Sequence, residues 1–119
     1  MKLKFNLWLE VREEVALSLW RVRLLMAVAR TGSINRAAAE MGVPYRIAWQ
    51  KIHEMEERLG QKLVVTQVGG QDGGGSQLTP LAQGYVDKFT QIGREVEALV
   101  ADRFEEVFGE AADGERISG

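Results

Sequence analysis

The sequence predicts a mainly α fold with small β elements, and three observations predict it. Apolar residues recur at helical spacing in four stretches, near 20–30, 33–41, 44–59 and 79–108. Period-two alternation is confined to the first nineteen residues, with a short β-branched run at Leu63–Val68. Between the second and third helical stretches lies Met41-Gly-Val-Pro44, a tight turn flanked by helix-start signals. In this order the elements make a winged helix-turn-helix with an N-terminal β-hairpin and a long C-terminal helix.

The hairpin comes first. Leu3, Phe5, Leu7, Leu9 and Val11 alternate with polar residues and Trp8, the pattern of a strand with one buried face. A polar turn at Arg12-Glu13-Glu14 follows, and Val15, Leu17 and Leu19 alternate again. Trp8 falls on the face opposite the core. It is either covered by neighbouring side chains or packed against another subunit. Trp20–Arg30 is then a helix whose buried stripe is Val22, Leu25, Met26 and Ala29, with Arg21, Arg23 and Arg30 elsewhere and Thr31-Gly32 ending it.

Ser33 caps the next helix by accepting from its first free amides, and Ala37, Ala38 and Met41 form its apolar stripe. Gly42 ends it, since glycine enters the left-handed conformation without a Cβ penalty. Pro44 opens the third helix, where its missing N–H costs nothing. Ala48, Ile52, Met55 and Leu59 are that helix's core stripe. Tyr45, Arg46, Trp49, Gln50 and His53 are left on the outer face. The second helix of such a pair can enter the DNA major groove. Arg can bridge two acceptors on guanine, Gln can pair with adenine, and Tyr can donate to phosphate. The plainer alternative is a solvated face, on which aromatic residues are seldom placed. Ser33, Asn35 and Arg36, at the start of the preceding helix, are candidates for phosphate contact.

Leu63–Val68 and Gln77–Thr79 flank Gly69-Gly-Gln-Asp-Gly-Gly-Gly-Ser76, a strand, glycine loop and strand directly after the candidate reading helix. That position makes it a wing rather than a surface linker, and Gln67, Gly69, Gly70, Gln71, Gly73, Gly74, Gly75 and Gln77 become candidate backbone or minor-groove contacts. A nucleotide-binding loop is excluded. Gly69 and Gly74 have the separation of a phosphate loop, but Gly75-Ser76 stand where its lysine is required.

Thr79 caps and Pro80 starts the last helix. Leu81, Tyr85, Phe89, Ile92, Val96 and Leu99 recur every three or four residues, close to a coiled-coil repeat. A helix of about 28 residues extends roughly 42 Å, longer than a body this small can cover. Its stripe needs a partner, and a second copy of the chain is the simplest one. These six residues and Trp8 are the candidate dimer interface. The tail, 109–119, is polar and rich in glycine and acid, and is expected to fray.

The chain has 119 residues, no cysteine and a net charge of −2. One domain is expected, without a disulfide framework or thiolate metal site. No apolar run approaches membrane-spanning length and no signal peptide is recognisable, so the expected location is the cytoplasm with no membrane partner. Charge is uneven: residues 1–76 hold eleven Lys/Arg against eight Asp/Glu, and residues 77–119 hold four against nine. A mildly basic body is thus joined to an acidic end. His53-Glu-Met-Glu-Glu57 begins like a zinc-protease helix, but the chain has one histidine, so no metal set forms. No nucleophile–base constellation is available, and the helix carboxylates look like solvated charges. No enzyme and no cofactor are expected.

Thr31-Gly-Ser33, Ala37-Ala38, Tyr45-Arg-Ile-Ala-Trp49, Glu54-Met-Glu56, Leu59-Gly60 and the glycine wing with Leu78-Thr79 closely resemble the N-terminal domain of the molybdate-responsive ModE regulators. These belong to the wider LysR-type winged helix-turn-helix group. The resemblance runs to about Phe104, and Ala82 departs from it where the family usually has glycine. It implies a homodimer, joined through the hairpin and the last helix, that binds palindromic double-stranded promoter DNA. Members of the family continue into a molybdate-binding domain. The sequence here stops at Gly119, so no molybdate binding is expected of it. The expected organisation is a DNA-binding domain over 1–108, made of the hairpin (1–19), three helices (20–60), the wing (63–79) and a dimerisation helix (79–108). The expected function is sequence-specific transcription regulation. The alternative is a winged-helix interaction module that docks another regulator and has little affinity for DNA.

Overall fold

The computed structural model describes residues 1–67 and 75–109. Strands β1 (Trp8–Val11) and β2 (Glu14–Ser18) lead into helices α1 (Leu19–Thr31), α2 (Ile34–Met41) and α3 (Tyr45–Leu59). Strands β3 (Val64–Gln67) and β4 (Gly75–Leu78) follow, and α4 (Pro80–Phe108) closes the chain. Each pair of strands is a separate two-stranded antiparallel sheet. The architecture is the expected one, mainly helical with two small hairpins around a helix-turn-helix.

Local chemistry sets the helix boundaries. The hydroxyls of Ser18, Ser33 and Thr79 accept from the amides of Arg21, Arg36 and Ala82. Gly42 stands at φ 70°, and its N–H closes α2 onto Ala38 and Ala39. A side chain there would carry a left-handed penalty of about 1–2 kcal/mol. Pro44 is the residue before α3 rather than its first residue, with φ −63° and ψ 150°.

α1 is the axis of the core. Val22, Leu24, Leu25, Ala27 and Val28 are buried, against Ala37 and Ala38 of α2, Ile52 and Met55 of α3, and Leu63, Ala82, Val86 and Phe89. Its buried arc is wider than the predicted stripe and rotated from it. Met26 and Ala29 are exposed, because elements pack on the other sides of the helix.

The N-terminal strand is shorter than its alternation suggests. Pairing starts only at Trp8, and a register irregularity between Leu9 and Glu10 breaks the period. Leu9 is 41% exposed, while Ala16 and Leu17 of β2 supply the hairpin's buried contacts. β1 is an edge strand lying over β2, so its side chains do not reach the core. Arg12 and Glu13 form the connecting turn at φ 54° and 67°, left-handed positions without a glycine. Leu19 begins α1 instead of ending β2.

The wing docks at its base. The Ser76 amide donates to the Gly32 carbonyl at 2.8 Å, bonding β4 to the turn between α1 and α2. A Cβ on Gly75 would sit 3.2 Å from that same carbonyl, so the strand approaches this closely because residue 75 has none. Thr79 ties the other strand in, its amide donating to Leu63 and its hydroxyl to the Lys62 carbonyl. The glycine loop 68–74 lies outside the described residues, as does the tail beyond Gly109.

Four charged side chains hold α3 in place, and two of them, Glu54 and Glu56, are helix carboxylates expected to be solvated. Arg21 is buried; its Nη2 donates to Glu54 Oε2 at 2.8 Å and its Nη1 to the Lys51 carbonyl at 3.3 Å. Arg58 approaches the same Glu54 oxygen at 3.8 Å and donates to the Val15 carbonyl of β2 at 2.7 Å. Two residues after Glu54, Glu56 Oε2 accepts from the amides of Leu63 and Val64 at 2.9 and 3.1 Å, fixing the start of β3 against α3.

Hydrogen bonding from Arg21 lowers the Glu54 pKa, helped by the charges of Lys51, Arg21 and Arg58 and opposed by desolvation. A depressed folded-state pKa gives stability that is fully present above the ordinary carboxylate range, about 4.3, and lost as pH falls through the folded value. Glu54→Gln is therefore expected to cost about 1–2 kcal/mol at pH 7. That is below the cost of breaking a fully buried pair, because the Glu54 side chain is still 23% exposed and partly screened. The deficit should shrink as pH falls below about 4. Urea unfolding of both proteins at pH 7 and pH 3 checks this; an equal deficit at both values would remove the ionised pair from the account.

Candidate nucleic-acid interface

The inner face of α3 is anchored by Ala48, Ile52 and Met55, and the opposite face of its first turns is open. Tyr45 and Trp49 are 49% and 45% exposed, large values for aromatic side chains, and Arg46 and Gln50 are exposed beside them. A proline precedes the helix, so no side chain caps its first amides. His53 is half-buried one turn beyond Trp49. The two rings stack with centroids 3.7 Å apart and planes 25° apart.

A groove of about 670 Å³ runs between α3, the start of α2 and the base of the wing. Of the candidate contacts, it gathers Ser33, Asn35, Tyr45, Trp49, His53, Gln67 and Gly75 along its walls. Arg36, Arg46, Gln50 and Gln77 are exposed but do not line it. Gly69, Gly70, Gln71, Gly73 and Gly74 lie outside the described residues. Gly75 has a structural task at the foot of the wing. Ser33 spends its acceptor capacity partly on the Arg36 amide and is positioned by Thr31, whose hydroxyl donates to the Ser33 carbonyl at 3.0 Å.

Lys62 and Thr66 also line the groove, and the sequence did not single them out. Thr66 could have been found as a polar residue of the short β-branched run before the glycine loop, but Lys62 sits in a connection with no periodic signal. Glu56, the acidic residue on the wall, is engaged with the β3 amides and with Lys62 at 3.7 Å. Arg36 and Arg46 are the exposed cations at the starts of α2 and α3, while Lys62 shares its charge with Glu56.

The residues proposed for a dimer divide between two faces of α4. Phe89 is only 7% exposed and belongs to the core of its own chain, with Ala82 and Val86. Tyr85 packs partly against that core, and Val96 is half-buried. Leu81, Ile92 and Leu99 are exposed, Leu99 at 61%, and so is Trp8. A seven-residue apolar pattern cannot separate these faces, because it drifts around a helix of 3.6 residues per turn and leaves Leu81, Ile92 and Leu99 to one side of Phe89.

Comparison with known proteins agrees with this architecture. Residues 19–83 match the family model described as bacterial regulatory helix-turn-helix protein, lysR family. The molybdenum transport protein ModE of Azotobacter vinelandii is 39% identical over 100 residues, covering 84% of this chain and 37% of the relative. The DNA-binding transcriptional dual regulator ModE of Escherichia coli K12 is 30% identical over 105 residues, covering 86% and 40%. The chain thus spans no more than two-fifths of the length of these relatives. Among solved structures, ArgP from Mycobacterium tuberculosis aligns with a TM-score of 0.55 and 26% identity over 71% of this chain and 30% of that one. The BenM DBD/benA site 1 DNA complex aligns at 0.60 and 20% identity, over 78% and 99%, a likeness of fold. The hairpin before residue 19 and most of α4 fall outside the family model, while α1 to α3 and the wing fall inside it. With these helices, this wing and homology to the ModE regulators, the chain belongs to the lysR family of bacterial regulatory helix-turn-helix proteins, a family of regulators rather than enzymes.

Proposed function

We propose that the chain is the operator-reading part of a ModE-type transcription regulator, acting as a cytoplasmic homodimer on near-palindromic DNA. The observation that carries this is the outer face of α3. Tyr45, Arg46, Trp49 and Gln50 stand clear of the core at the helix start, beside the α2 N-terminus and the wing base. Arg46 and Gln50 would meet base edges, while Ser33, Asn35, Arg36 and Tyr45 would meet phosphates. The wing, Gln67 to Gln77, would follow the backbone or the minor groove. In a two-fold dimer the reading helices engage half-sites about 34–36 Å apart. Molybdate is given no site in this stretch.

The dimer reading is supported by the exposed apolar residues of α4, Ile92, Leu99, Val107 and Phe108, on a helix of 29 residues. Exposed apolar area on this scale marks a contact surface. Leu99→Asp is expected to yield a folded monomer, since Leu99 touches no core. Phe89→Asp should instead unfold the chain, because it buries an unpaired charge. Sedimentation and circular dichroism of both variants at micromolar concentration separate the outcomes; a wild-type monomer would remove the dimer and the half-site geometry together.

DNA reading is tested on a duplex enriched from a random library, by fluorescence anisotropy at two salt concentrations. Arg46→Ala should cost about 1–3 kcal/mol on the enriched duplex and relax preference at one position of each half-site. Arg36→Ala should weaken binding to enriched and scrambled duplexes alike and flatten the salt dependence. Full affinity in folded Arg46→Ala would favour the interaction module over the reading helix.

A further inference from the structure

We propose that Trp49 is a thymine reader, with its indole packing on the 5-methyl group of the base and His53 holding it in position. The inference rests on α3 being the DNA-reading helix.

The geometry around Trp49 is built rather than incidental. His53 covers one face of the indole at 3.7 Å, and His53 Nδ1 lies 2.9 Å from the carbonyl oxygen of Trp49 itself. A carbonyl only accepts, so Nδ1 is the donor and the imidazole is tied to Trp49 through both ring and backbone. The indole is thereby ordered before any ligand arrives, which reduces the entropy lost on binding. Its remaining surface opens into the groove between α3, α2 and the wing.

The chemistry of that surface selects its partner. An indole presents a broad apolar ring with one N–H donor and no acceptor. Elsewhere in the chain the Trp8 N–H is spent on Glu10 at 2.8 Å, whereas among the described residues the Trp49 N–H has no hydrogen-bond partner. In the major groove, thymine alone combines an acceptor, O4, with an apolar group, the C5 methyl. Guanine offers acceptors without a methyl, and cytosine and adenine direct donors at the groove. A phosphate would gain a neutral donor but leave the ring without an apolar contact. Thymine is the base that matches both parts of the indole edge.

Deoxyuridine keeps O4 and lacks the methyl, so it tests this contact alone. A duplex is first enriched from a random library with the full chain, then each thymine is replaced singly by deoxyuridine and the affinities are measured by anisotropy. Burial of one methyl corresponds to about a fourfold change in affinity. The wild type is expected to bind about fourfold more weakly when one particular thymine of a half-site is replaced, and to tolerate the other replacements. Trp49→Phe, which keeps an apolar ring, should retain the thymine/uracil ratio at that position, and Trp49→Ala should bring it to one. His53→Ala should lower the ratio while circular dichroism is unchanged, a readout that a merely structural role would not move. The proposal is overturned if no thymine is sensitive, or if Trp49→Ala keeps the wild-type ratio. Failure to enrich any sequence is a separate result, which overturns the reading of α3 as well.

Discussion

One carboxylate oxygen organises the molecule. Glu54 Oε2 receives Arg21 from α1 and lies within 4 Å of Lys51 and Arg58 on its own helix, while Arg58 continues to the backbone of β2. The consecutive elements β2 and α1 thus meet the more distant α3 at one charged centre. Apolar packing by Ala48, Ile52 and Met55 sets how closely α3 approaches the core, but it is non-directional. The charge-assisted bonds to Glu54 are directional and reinforce the rotation about the helix axis that the position of this stripe sets. That rotation determines which residues face outward. Glu56 repeats the device towards the wing, so Glu54-Met-Glu56 fastens α3 on two sides with a core methionine between.

The helix-turn-helix was legible because its signals are local. Ser33, Gly42 and Pro44 act on the backbone within a turn of themselves, and the stripe Ala48, Ile52, Met55 and Leu59 has one partner surface. α4 was legible in length for the same reason, bounded by the Thr79-Pro80 cap. The parts that were misjudged depend on contacts between distant residues. Arg21, Glu54 and Glu56 have the composition of a solvated face, and only the meeting of α1, α3 and β3 makes them structural. The α1 stripe was misplaced because a helix packed on several sides has no single apolar arc. The alternation at Leu3–Leu7 suggested a longer strand, but an edge strand needs a paired neighbour, and pairing begins at Trp8.

The outer face was legible as residue types, and its geometry was not. Tyr45, Arg46, Trp49 and Gln50 follow from subtracting the core stripe from α3. That His53 stacks on Trp49 needs side-chain conformations, although the i,i+4 spacing allows it. The dimer stripe shows the limit of periodicity most clearly. Phe89 and Leu99 belong to one predicted repeat, yet the first is a core residue and the second is open to solvent. A seven-residue repeat drifts around a helix of 3.6 residues per turn, so its members do not share one face.

The bond from Ser76 to Gly32 joins two peptide groups, and it asks of the side chains only that residue 75 have none. It links the wing to the very turn that sets the start of α2. The attachments of α3 are likewise all on its inner and C-terminal sides. Residues 45, 46, 49 and 50 therefore form a surface whose chemistry can change while the frame beneath it keeps its shape. Such a separation makes the chemistry of this surface a nearly independent trait under mutation. A lineage carrying this scaffold can vary these four positions without passing through unfolded ancestors.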